Sequence, residues 1–218
     1  MSRSSVFADM ASQDVTAAEL NKLDGVTVTT AQINAPTTLG TVTSGNISNT
    51  AIVYPAGHII QVLQTVKTDT QSASASGSVN WTDISGLTQA ITPSSTSNKI
   101  LINISISYGS QTYAGFFKIL AITAGGSYSD LTGAIGTASS NRTRMTMGAL
   151  GGTADDAEIS TATMMYLDSP NTTSQRTYKV QYTSRHTGTM TINTGHTTTD
   201  ADYTGRAIST ITCMEIVG

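Results

Sequence analysis

The sequence predicts a mainly β protein, in which a short N-terminal arm with one or two helical turns precedes an antiparallel β-sandwich head. Three observations carry that expectation. Segments with period-2 alternation recur between turn residues over residues 56–218, the pattern of a sandwich or barrel. Ser and Thr supply 65 of the 218 residues, with 19 Gly, and Thr suits a pleated sheet because its branched Cβ packs well there. Charged residues make up only 11% against a usual share of about 25%. Neutral hydroxyls and amides therefore replace charge at the surface. No strand alternates with a long amphipathic segment, which sets a parallel α/β sheet aside.

Residues 1–55 read as the arm. Val15-Thr16-Ala17-Ala18-Glu19-Leu20-Asn21 and Val28-Thr29-Thr30-Ala31-Gln32-Ile33-Asn34 match in character position for position, 13 residues apart. Thr16 with Glu19, and Thr29 with Gln32, have the capping-box spacing that satisfies backbone donors at a helix start. Val15 with Leu20, and Val28 with Ile33, are spaced as hydrophobic staples. Gly25 and Pro36 end the two units. Helices this short do not hold alone in water, so Val15, Leu20, Leu23, Val28 and Ile33 are expected to dock on other copies of the chain or on a larger particle. A disordered tail is the alternative that composition allows.

Residues 56–218 read as the head. In Lys99–Ser107, Ile100, Ile102, Ile104 and Ile106 face one way, and Leu101, Asn103, Ser105 and Ser107 the other. The further expected strands are His58–Val66, Leu87–Thr92, Gly115–Thr123, Thr161–Asp168, Arg176–Ser184, Thr189–Asn193 and Arg206–Val217. Arg142–Met147 and Val79–Ile84 carry weaker alternation, and Gln71–Ser78 and Thr92–Asn98 read as loops. Leu101 on an otherwise polar face hints that part of that face is covered.

Several functions are disfavoured by what the residues lack. A net charge of −3 without a basic stripe gives phosphate no footprint, so nucleic acid is not an expected partner. No apolar run approaches the roughly 20 residues a bilayer demands, and residues 1–10 lack the apolar centre of a signal peptide; a soluble, unexported chain is expected. Cys213, the one cysteine, has no partner for a disulfide and reads as a small core residue. His58, His186 and His196 show no zinc spacing. Asp155-Asp156-x-Glu158 and Asp200-x-Asp202 offer hard oxygens that suit calcium, but not at EF-hand spacing, and read as solvated loop tips. No nucleophile elbow or phosphate loop occurs, and acids are few for a polysaccharide-degrading tailspike. The chain is thus expected to be no enzyme and to need no cofactor or metal. Asn103-Ile-Ser and Asn141-Arg-Thr are sequons by chance.

A resemblance adds to these readings. Val15-Thr-Ala-Ala-Glu-Leu-Asn-Lys-Leu-Asp-Gly-Val26 resembles the repeats of bacteriophage fibre proteins, especially those of viruses of marine bacteria and cyanobacteria. Pro55-Ala-Gly-His-Ile-Ile-Gln-Val62, Trp81-Thr-Asp, Ile91–Ile102 and Cys213-Met-Glu-Ile-Val-Gly218 are similar to the heads of the same proteins. The likeness touches both ends and the first half of the chain. It implies a jelly-roll head of the C1q and tumour-necrosis-factor kind, a homotrimer, and a virion location made in the host cytoplasm. The head would contact a host surface glycan or protein and the arm other virion proteins of tail or capsid. With barely two repeats, a stubby fibre is implied rather than a long shaft. A capsid-surface head fibre or decoration protein without receptor binding is the alternative. Tyr with small polar neighbours is the palette of recognition loops, which makes Tyr108, Tyr113, Tyr128 and Tyr203, with Arg142 and Arg144, the candidate receptor contacts; plugging the sandwich ends is the other role open to the tyrosines.

Overall fold

In the computed structural model, the described residues are 53–75, 77–110, 115–149, 157–184, 187–197 and 199–218. The expected arm and its docking residues Val15, Leu20, Leu23, Val28 and Ile33 lie outside them. Residues 53–218 form one compact unit. Among the described residues it holds eleven strands: β1 (Ile59–Lys67), β2 (Gln71–Ala75), β3 (Thr82–Ile91), β4 (Lys99–Ser110), β5 (Gly115–Thr123), β6 (Ser129–Asp130), β7 (Met147–Ala149), β8 (Ser160–Asp168), β9 (Arg176–Ser184), β10 (Gly188–Ile192) and β11 (Ser209–Ile216). A short 3-10 turn spans Thr132–Ala134.

Two antiparallel sheets face each other. In the first, β4 is the spine: β8 pairs along one edge, while the other edge pairs β11 over Lys99–Ser105 and β10 over Tyr108–Ser110. β1 flanks β11, and β2 flanks β10. The second sheet runs β3-β9-β5, with β6 and β7 on the far edge of β5. The alternation read in the sequence is the cause of the layering. Ile100, Ile102, Ile104 and Ile106 are all fully buried, meeting Ile84, Leu87 and Ile91 of β3, Phe117 and Ile119 of β5, and Tyr178, Val180 and Tyr182 of β9. Cys213 lies in this core, where burial pushes its thiol up to about 12.

The expected strands Gly115–Thr123 and Arg176–Ser184 have the observed bounds, and five others agree to within three residues at either end. Three expectations need correction. Val79–Ile84 and Leu87–Thr92 are one strand, β3, interrupted by a register shift between Asp83 and Thr88 at Gly86, whose φ of +76° admits glycine most readily. Gln71–Ser78 contains a strand, β2, because Gln71–Ala75 pairs with β10 without needing a large apolar side chain. Arg142–Met147 is mostly irregular chain that reaches strand geometry only at Met147, where it meets Phe117 of β5.

Thr92–Asn98 is a loop, held by the carboxylate of Glu215. Its Oε1 accepts from the Ser94 amide and hydroxyl and from Asn98 Nδ2 at 2.6–2.8 Å. Satisfying three donors there compensates a side chain that is only 2% exposed.

Candidate recognition surface

The strand directions give the sandwich two ends with different chemistry. The chain enters β1 at the end where Gly57 N donates to Val217 O. That end also carries the β3–β4, β5–β6 and β8–β9 connections. One strand length away, roughly 30 Å for nine residues at about 3.3 Å each, the opposite end carries the connection from β10 to β11. This connection is shaped by local polar bonds. Asn193 adopts φ +63°, a left-handed conformation Asn tolerates, and is fully buried. Its Nδ2 donates to the carbonyls of Lys67 and Asp69, both at 2.9 Å, while Oδ1 accepts from the Ser209 hydroxyl at 2.6 Å. The buried Thr191 hydroxyl donates to Thr194 O at 2.8 Å, which folds the chain back over Gly109. A Cβ at Gly109 would sit 2.6 Å from the His196 backbone nitrogen, so only glycine allows that approach.

These constraints leave a cavity of about 330 Å³ lined by Thr194, Thr197, Thr199, Asp200, Thr204 and Arg206. Hydroxyls that donate and accept, one carboxylate and one guanidinium converge on it. Arg206 is steadied by Nη1 donating to Thr70 Oγ1 at 3.1 Å, and the Thr204 hydroxyl lies 2.7 Å from the carbonyls of Thr199 and Ala201. Tyr203, 68% exposed, lies in the chain between the lining residues Ala201 and Thr204. Such a lining suits a neutral, hydroxyl-rich ligand, since it provides paired donors and acceptors with little net charge.

A second polar surface covers the outside of the β3-β9-β5 sheet. Lys118 Nζ is 2.7 Å from Asp130 and 4.6 Å from the Trp81 ring centroid. Lys179 Nζ is 2.7 Å from Asp83 and 4.1 Å from the Tyr128 ring centroid, and Gln181 Nε2 donates to the same Asp83 at 2.7 Å. Burial acts to raise the Asp83 pKa, but the bonds from Lys179 and Gln181 outweigh it and hold the carboxyl below its ordinary range. Sequence reasoning did not single out this surface. The legible signal was a lysine in the otherwise apolar run Gly115–Thr123.

The candidate receptor residues do not form one site. Tyr108 is a correction: it is 1% exposed on β4, its ring edge-on to Phe117 at 5.4 Å, and burial raises its hydroxyl pKa. It belongs to the core, because the alternation of β4 continues past Ser107. Tyr113 lies outside the described residues. Tyr128 sits under Lys179 toward the entry end, and Tyr203 at the opposite end. Arg142 and Arg144 are exposed on a lobe that leaves β5 at Ile119 and returns at Phe117, where Leu131 N donates to Ile119 O and Thr146 N to Phe117 O; Arg144 Nε donates to Gly136 O at 2.7 Å. Of the five that are described, Tyr203 alone adjoins in the chain residues that line this cavity.

Among the described residues, no three His, Cys, Asp or Glu side chains converge as metal ligands. Asp200 faces the cavity with Arg206, while Asp155 and Asp156 lie outside the described residues. No described helix is long and apolar enough to cross a membrane.

No protein-family model matches the sequence, and no curated protein does. Among solved structures, the chain is similar to infectious bursal disease virus, Gx strain, at 9% identity and a TM-score of 0.36, with 80% of this chain and 46% of that chain covered. The Gt strain gives 8% identity and a TM-score of 0.37 over 80% and 42%. The VP2 subviral particle of that virus gives 7% and 0.35 over 80% and 42%. The chain thus spans less than half the length of these structures.

Proposed function

We propose that the chain is a non-enzymatic structural subunit of a bacteriophage virion, a multimeric tail fibre that docks by its N-terminal residues and touches the host by its sandwich. The resemblance of Val15–Val26 and of the head segments to phage fibres supports the class of protein. The observation that carries the contact role is the polarity of the sandwich. The chain enters at one end, and the hydroxyl-lined cavity with Tyr203 lies at the other. A subunit docked from its N-terminal side would present that far end outward. The ligand class that suits it is a neutral surface glycan, whose hydroxyls match the threonines, Asp200 and Arg206, and whose sugar face stacks on an exposed tyrosine. A weak single site serves this role well, because several copies on one particle raise avidity by about 10²–10⁴ without new contacts.

Replacing Tyr203 by Ala and Asp200 by Ala in the virus tests the reading. Adsorption to host cells is expected to fall at least tenfold, with particle yield and head stability unchanged. Unaltered adsorption would contradict host contact through this end and favour a decorating role.

A further inference from the structure

The outer face of the β1-β11-β4-β8 sheet is finished differently from the rest of the surface. Register places Val62, Met214, Leu101 and Leu167 in one row across all four strands. The next row, Gln64, Thr212, Asn103 and Met165, puts a further apolar side chain beside Leu167. Val62 is 57%, Met165 68% and Leu167 43% exposed. Lys99, at one end of β4, is the sole formal charge among the outward-facing residues of these strands. The outside of the opposite sheet, by contrast, carries Asp83, Lys118, Asp130 and Lys179 in ion pairs. One sheet is therefore finished for water and the other is not.

We infer that this apolar face is where copies of the chain pack against one another. The inference rests on the multimer of the proposed function and deepens it by naming the surface. A charged partner would have to bury ions that nothing on this face pairs. A second copy brings the same surface, uncharged but for Lys99 at its margin, so apolar area is removed from water with few ions to pair. The extent is about half of one partner's share of a standard interface. Four strands about 4.8 Å apart and about 27 Å long give on the order of 400 Å² in projection, before side-chain relief or flanking loops are added. That is a sizeable part of the roughly 800 Å² each partner contributes to a standard interface. The face is also bounded by β1 and β8, each pairing with a single neighbour among the described strands. Such edges are ordinarily charged, shortened or covered. Nine-residue β8 presents Thr161, Thr163, Met165 and Leu167 outward and has no charge among them.

The test is light scattering of the full chain at micromolar concentration. The unaltered chain is expected at a multiple of 22.7 kDa, and the double variant Val62→Glu with Leu167→Glu at the mass of one chain. Thr88→Glu, which places the same charge on the outside of the opposite sheet, is expected to keep the multiple. A double variant that keeps the mass of the unaltered chain would overturn the face while leaving the multimer standing. An unaltered chain at 22.7 kDa, its apolar face covered by its own residues or left bare, would overturn both. If the glutamate pair loses its β-sheet circular dichroism, Val62→Thr with Leu167→Thr keeps strand-forming residues at both positions. That pair is expected to weaken association at least tenfold, and undiminished association would overturn the face.

Discussion

Asn193 shows how one residue sets the far end of the sandwich. It combines a left-handed backbone with three side-chain hydrogen bonds, to Lys67, Asp69 and Ser209. Asn193→Ala would strand two carbonyls and a hydroxyl, each costing about 1–3 kcal/mol when buried and unpaired, and add backbone strain. Asn193→Gly would lose the same bonds without adding the strain. Urea unfolding is expected to show both variants destabilised by at least ~2 kcal/mol, with Gly the milder; equal stability to the native chain would contradict the network. In β4, Ile102→Ala is expected to cost about 2–5 kcal/mol as a buried cavity, whereas Asn103→Ala, on the exposed face, should stay within about 0.5 kcal/mol. The core thiol of Cys213 should resist a disulfide reagent at pH 8 until the chain unfolds. Ile102 and Cys213 were legible in the sequence, since alternation alone put them inside. Asn193 was not, because two of its three partners come from a segment some 125 residues earlier in the chain.

At the scale of elements, alternation located the strands whose two faces differ in polarity and missed those whose faces do not. β4 and β9 announce themselves by Ile and Tyr at every second position. β2, Gln-Ser-Ala-Ser-Ala, has no such contrast and exists because β10 offers it a pairing edge. The two halves of β3 were visible, but their union was not, since a bulge at Gly86 shifts the period. Packing of β9 also fixes an alkaline response. Burial raises Tyr182 to about 12 and moves Tyr178 well above its ordinary value of 10.0; Tyr178 also faces the Asp168 carboxylate, to which its hydroxyl donates at 2.7 Å. Above their unfolded pKa values these groups hold protons in the native state that the unfolded chain has released, so stability must fall as pH rises. Cys213 begins the loss near pH 9 and the tyrosines add to it above pH 10. Chemical denaturation midpoints should be flat between pH 7 and 9 and drop steadily from there to pH 12. A midpoint that holds level to pH 11.5 would contradict the buried hydroxyls.

At the scale of the whole sandwich, the two sheets and the two ends of residues 53–218 differ in chemistry. One sheet exterior carries ion pairs and aromatic rings, the other an uncharged apolar row. One end receives the chain, and the other holds the cavity. The sequence made the sandwich legible but not this division, because which exterior residues share a row depends on register between strands far apart in the chain, such as Val62 with Met214 and Leu101 with Leu167. Candidate receptor residues chosen from loops were scattered for the same reason, and Tyr203 shares with Asp200 and Arg206 only the connection between β10 and β11. The most direct measurement is an image of the intact virion with an antibody fragment bound to the exposed Tyr203 loop. The fragment is expected to lie at the outer tip of a projection from the tail, farthest from the particle. Its absence from particles, its binding over the capsid, or its position at the base of the projection would contradict the proposed orientation and role.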